Sequence, residues 1–192
     1  MDRFTVFLID DDVGTLTALS GFLRAAGYAI KAYYSSQAFL SGHDVSIPGC
    51  VILDLSLPSL NGLEVQQSLL DQGIHRPVIF ISGKTTAPEI VRAMRAGAID
   101  FLIKPVDEKQ LLNAIKSAEE WDNTRRNIEA RRKIVLQKIA KLSKREKDVL
   151  ALMVTGLQSK AIRTWVKTSD RFSERRPANP MTVPSPPREK ET

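Results

Sequence analysis

Four apolar runs in the first half of the chain each end at a residue able to take part in phosphoryl chemistry. Phe4–Ile9 leads into Asp10 and Asp11, Cys50–Leu53 into Asp54, Pro77–Ile81 into Ser82, and Asp100–Ile103 into Lys104. A fifth run, Tyr28–Tyr34, carries no such group. Carboxylates a few ångströms apart repel one another. Two unit charges separated by 4 Å cost about 4 kcal/mol at an effective dielectric of 20, so a cluster of three calls for a cation or a shared proton. Hard oxygen ligands with room for water suit Mg²⁺. One carboxylate beside such an ion can attack phosphorus as an oxygen nucleophile, while an ammonium offsets charge on the transferring oxygens. Ser82, followed by Gly83, can hydrogen-bond a phosphoryl oxygen.

Taken singly, each residue has a plainer explanation. Acidic residues after a strand commonly cap the next helix, a lysine before proline can be ordinary surface, and Ser-Gly is a frequent turn. Only parallel strands ending at one edge bring all five side chains together, which is where open α/β sheets bind their ligands.

The segments between the runs have the spacing of helices. Gly14–Ala26 places Leu16, Leu19, Phe22, Leu23 and Ala26 on one face and stops at Gly27. Ser35–Leu40 is a short helix. Gly62–Leu70 follows a turn at Pro58, Asn61 and Gly62, and Ala87–Ala96 has Pro88 in its first turn and closes at Gly97. Asp107–Ala118 follows Lys104-Pro105 and turns Leu111, Leu112 and Ile115 inward. Alternating strands and helices imply parallel crossovers with helices on both faces. The expected fold is α/β, a five-stranded doubly wound sheet of flavodoxin-like order 2-1-3-4-5. That order makes the first and third strands neighbours, and with them Asp10, Asp11 and Asp54.

Charge divides the chain. Residues 1–120 hold 10 Lys/Arg against 14 Asp/Glu, a balance of −4, and residues 121–192 hold 18 against 8, a balance of +10. A basic second half is compatible with nucleic acid and equally with a solvated helix and tail. The single cysteine, Cys50, excludes a disulfide framework and fits a reducing, cytoplasmic setting. No run approaches the roughly 20 apolar residues of a membrane span.

Residues 121–141 continue as a charged linker helix, about 50 Å long if unbroken from Asp107. Trp121, Ile128, Val135 and Leu142 recur every seven residues, but Arg125 and Arg132 occupy half the companion positions, which weakens a coiled coil. Ser143-x-x-Glu146 before an apolar run is a capping box that starts another helix, ended by Gly156. From 168 to 192 periodicity is lost and five prolines appear, so a disordered basic tail is expected.

Residues 1–120 closely resemble the receiver domain of two-component response regulators, through FLIDDD at 7–12, VILDLSLPSLNG at 51–62, VIFISG at 78–83 and AGAIDFLIKP at 96–105. The resemblance implies that Asp54 is the phosphoacceptor for a sensor histidine kinase and that Asp10 and Asp11 form the acidic pocket. It implies Mg²⁺ on Asp11, Asp54 and the backbone carbonyl of Ser56, with Ser82 and Lys104 binding the phosphoryl group and Phe101 as switch aromatic. It also implies a cis Lys104-Pro105 bond. By the same resemblance phosphorylation remodels the surface over 87–118 for a partner; a homodimer through 106–118 or the linker helix is a possible further partner. The chain is read as a self-modifying switch and not an enzyme.

LSKREKDVLALMVTGLQSKAI at 142–162 resembles the start of a LuxR-type helix-turn-helix of the nitrogen-fixation and nitrate-response subfamily. Glu146, Gly156, Lys160 and Ile162 match; the residues that follow supply no recognition helix. The expected division is therefore a receiver domain at 1–120, a linker at 121–141, a partial helix-turn-helix at 142–167 and a tail at 168–192. Base readout needs a rigid recognition helix, whereas Arg and Lys on phosphates give only salt-sensitive affinity, so DNA binding should be weak or non-specific. Two alternatives stand beside transcriptional control. One is a receiver acting through protein contacts alone, as a phosphate sink or dimer partner. The more remote one is a Mg²⁺-dependent phosphatase, disfavoured because Leu55 and Ser56 follow Asp54 where an Asp-x-Asp pair would be needed.

Overall fold

The computed structural model describes residues 3–154. Five strands, β1 (Thr5–Ile9), β2 (Ala29–Tyr33), β3 (Gly49–Asp54), β4 (Val78–Ser82) and β5 (Asp100–Ile103), form one sheet in the order β2-β1-β3-β4-β5. Every pairing is parallel. The helices are α1 (Val13–Ala25), α2 (Ser36–Gly42), α3 (Gly62–Asp71), α4 (Ala87–Arg95), α5 (Glu108–Lys141) and α6 (Lys144–Val154). The expected doubly wound fold is the one observed.

The two faces of the sheet follow from strand alternation. Val6, Leu8, Ile52, Ile79, Ile81 and Leu102 pack with Leu16 and Leu23 of α1 and Leu111 and Ile115 of α5. Phe7, Ile9, Val51, Leu53 and Phe80 pack with Phe39 of α2, Val65 and Leu69 of α3 and Ala93 of α4. Phe7, Phe39 and Phe80 are fully buried, each contributing about 1.5–3 kcal/mol of transfer free energy. This double burial explains why the central strands read as continuous apolar runs and not as alternating ones.

Register then fixes the site. Ile9 lies beside Leu53 and Asp54 beside Ile81, while Ser82 pairs with Ile103. Four strand ends thus present Asp10, Asp54, Ser82 and Lys104 along one edge. The Lys104-Pro105 bond is cis.

The described residues fall into two compact units that divide after Arg131. Residues 121–131, the first part of the linker segment, lie in the first unit and continue α5 without a break. In the second unit, α6 begins at the capping box read from the sequence: Glu146 Oε2 accepts from the Ser143 amide and hydroxyl, and the Glu146 amide donates to Ser143 Oγ. These bonds, the side-chain one foremost, hold the Glu146 carboxyl below its ordinary pKa. The remainder of the partial helix-turn-helix and the tail at 168–192 lie outside the described residues.

Candidate functional site

Asp10 stands one residue past β1 and is buried; Asp54 closes β3 and is buried; Asp11 is exposed above them. One carboxylate oxygen from each lies within 4.8 Å of the others. Lys104, one residue past β5, donates from Nζ to Asp10 Oδ2 at 2.7 Å and to Asp54 Oδ2 at 3.1 Å. Burial disfavours that ammonium, but its hydrogen bonds and charge contacts with Asp10 and Asp54 outweigh burial and raise its pKa. Three carboxylates against one ammonium leave a surplus of negative charge. The donor set is all oxygen, two carboxylates are shielded, and one faces solvent, which fits a hard divalent cation that retains water.

The Asp10–Asp12 triplet divides its labour. Asp12 is the N-cap of α1 and accepts from the Thr15 amide, a bond that lowers its own carboxyl pKa. Its amide in turn donates to Asp10 Oδ1 at 2.9 Å and so helps to orient the buried carboxylate. The capping interpretation of these acids therefore holds for Asp12, and the cluster takes Asp10 and Asp11. Across the site, the Ser56 amide donates to Asp54 Oδ1 at 3.1 Å and helps to hold that carboxylate in place.

Ser82 is fully buried, and its hydroxyl donates to the carbonyl of Lys84 at 2.7 Å. Its place at the edge is as expected, but the hydroxyl is engaged by the loop after β4. Phe101 on β5 is half-buried and stacks on Phe80, centroids 5.8 Å apart.

Gly62, read from the sequence only as part of a turn, proves to be a close-approach position. A Cβ there would lie 2.7 Å from the Asp54 carbonyl oxygen and 2.8 Å from the Phe80 ring. The first turn of α3 therefore abuts the backbone that carries Asp54. The Asn-Gly pair was visible in the sequence; the contact was not, because it depends on how α3 folds back.

Residues 6–116 match the response regulator receiver domain. The chain belongs to that family. The response regulator is 38% identical over 160 residues to response regulator protein TodT of Pseudomonas putida, covering 83% of this chain and 70% of TodT. It is 36% identical over 184 residues to the transcriptional regulatory protein FixJ of Azorhizobium caulinodans, covering 94% and 86%. Among solved structures it is similar to the response regulator StyR, with a TM-score of 0.77 and 34% identity over 86% of this chain and 83% of StyR. The N-terminal domain of FixJ matches with a TM-score of 0.58 and 35% identity, covering 62% of this chain and 96% of that domain. The chain is thus a two-component response regulator whose relatives include a named transcriptional regulator, and its family consists of signalling proteins and not, in general, enzymes. Among the described residues no helix is long and apolar enough to cross a membrane.

Proposed function

We propose that this response regulator is a cytoplasmic switch of the transcription-factor type, set when Asp54 accepts a phosphoryl group from a sensor histidine kinase. The observation that carries the reading is the convergence of Asp10, Asp11 and Asp54 within 4.8 Å, with Lys104 bonded to two of them. A carboxylate oxygen of Asp54 forms the new P–O bond. The P–N bond of the phosphohistidine breaks and its electron pair stays on that ring nitrogen; the other ring nitrogen, already protonated in the phosphohistidine, keeps its proton, so the ring leaves as neutral imidazole. Asp11, Asp54 and the Ser56 backbone carbonyl would hold Mg²⁺, which when bound would offset charge on the transferring oxygens. Lys104 offsets more of it from the other side, and the Ser56 amide steadies Asp54.

The bond from Ser82 to the Lys84 carbonyl and the stacking of Phe101 on Phe80 support a two-state reading. Ser82 gives up the Lys84 carbonyl to bond a phosphoryl oxygen, and Phe101 moves into the space released. The surface over 87–118 changes with them. Val91, Met94 and Ile103 are exposed there, a suitable patch for a protein partner or a second copy.

The loss of helical periodicity in the sequence after residue 167 supports a second reading for the output, in which the receiver acts through protein contacts alone. Sequence-specific DNA binding is then weak or absent, and a footprint at physiological salt with the purified chain contradicts this. The phosphoacceptor is tested with acetyl phosphate. Asp54→Asn brings incorporation to background, and undiminished stoichiometry in that variant overturns the assignment.

A further inference from the structure

At the opposite edge of the sheet lies a second charged cluster that the phosphoacceptor site does not use. The Gly49 amide, at the start of β3, donates to Asp122 Oδ2 at 3.1 Å, across 73 residues of sequence. The same oxygen accepts from Arg126 Nε at 2.8 Å, and Asp122 is only 3% exposed. Arg126 also donates to the carbonyls of Ser46 at 3.0 Å and Ile47 at 2.9 Å. Arg76, itself buried, donates to the carbonyls of Ile47 at 3.1 Å and Asp44 at 2.9 Å, and its guanidinium lies 4.3 Å from the centre of the Phe7 ring. Arg126 therefore ties the 46–47 backbone to α5, and Arg76, just ahead of β4, holds the same loop from the sheet side.

The buried face of α5 shows what this does. Leu111, Ala114, Ile115 and Ala118 form its apolar stripe, and Asp122 is the next position on it. A carboxylate stands where an apolar residue would continue the contact, and it is tolerated because an amide and an arginine meet it. The helix around it is strongly charged. A charged helical stretch this short has little stability without tertiary contacts.

We propose that Asp122 and Arg126 form an anchor that makes residues 119–130 a fixed part of the receiver, beyond the segment by which the family is recognised. The root of β3, which carries the phosphoacceptor at its far end, is thereby fastened to the helix leading out of the domain. Linker freedom begins only past this anchor. The inference does not depend on phosphorylation of Asp54.

Amide hydrogen exchange on the full chain tests it. Asp122→Ala should speed exchange over 119–130 and at Gly49 at least tenfold, while amides of β1 and β4 keep their protection. Asp122→Asn, which retains an acceptor for Gly49, should fall between. Arg126→Met should loosen 119–130 with less effect at Gly49, and serves if Asp122→Ala does not fold. Phosphoryl uptake should be unchanged in every variant. Unchanged exchange over 119–130 in the alanine or methionine variant overturns the proposal. So does acceleration by one common factor at all protected amides, which would report overall stability and not a local anchor.

Discussion

The two edges of this sheet handle buried charge in opposite ways. At the edge where the strands end, three carboxylates share one ammonium, and two of the three are shielded from water. At the edge where they begin, Asp122 accepts from the Gly49 amide and Arg126, while Arg126 and the nearby Arg76 donate to backbone carbonyls of residues 44–47. The first arrangement leaves negative charge uncompensated, which costs stability and suits a cation. The second pairs its one buried carboxylate with an amide and a guanidinium, which fastens one element to another. Uncompensated charge marks the reactive edge, and compensated charge marks the structural one.

The largest stability effect should come from breaking the compensated edge. Asp122→Ala leaves the Gly49 amide and a half-buried Arg126 without their acceptor and should lower the local stability of residues 119–130, read from their amide exchange, by about 2–3 kcal/mol, with a much smaller change in global unfolding. A loss under about 0.5 kcal/mol, ordinary for a surface change, would place this pair with unimportant salt bridges. At the reactive edge, Gly62→Ala should cost about 1–2 kcal/mol by overpacking, because the backbone of Asp54 cannot yield as a flexible side chain would. The more telling effect is on rate. Displacing Asp54 should slow phosphoryl uptake about tenfold or more at unchanged stoichiometry, and an unaltered rate would show that the close approach has no part in positioning.

The smallest effect concerns Lys104, which is partly exposed, so solvent screens its interactions. Its folded pKa is raised above the ordinary 10.5. The corresponding stability is fully present below that value and is lost as pH rises through the higher folded one. Lys104→Met should therefore flatten the alkaline limb of the unfolding midpoint against pH, while Asp122→Ala leaves that limb in place. An alkaline limb identical in wild type and Lys104→Met would contradict the pairing with Asp10 and Asp54.

The convergence of Asp10, Asp11, Asp54 and Lys104 was legible in the sequence because parallel strands have a grammar: apolar runs bury both faces, and whatever follows each run arrives at the same edge. Helix boundaries were legible to a residue or two from Gly27, Gly97, Pro88 and the Ser143 cap. Which acid of the triplet caps α1 was not legible, since Asp10, Asp11 and Asp12 are the same residue type and only backbone geometry distinguishes them. Nor was the bond from Ser82 to the Lys84 carbonyl, because carbonyl direction in a loop leaves no mark on residue identity. The anchor stayed hidden for the same reason. The partners of Arg76 and Arg126 are mostly backbone groups, and Asp122 reads as an end to the apolar stripe that it in fact extends.

The most direct test of the account is to expose the full chain to acetyl phosphate with and without Mg²⁺ and to locate the phosphoryl group by peptide mass spectrometry. One group per chain, confined to the peptide containing Asp54 and dependent on the metal, is the predicted result. A phosphoryl group on another residue, or uptake at Asp54 that is indifferent to Mg²⁺, would contradict it.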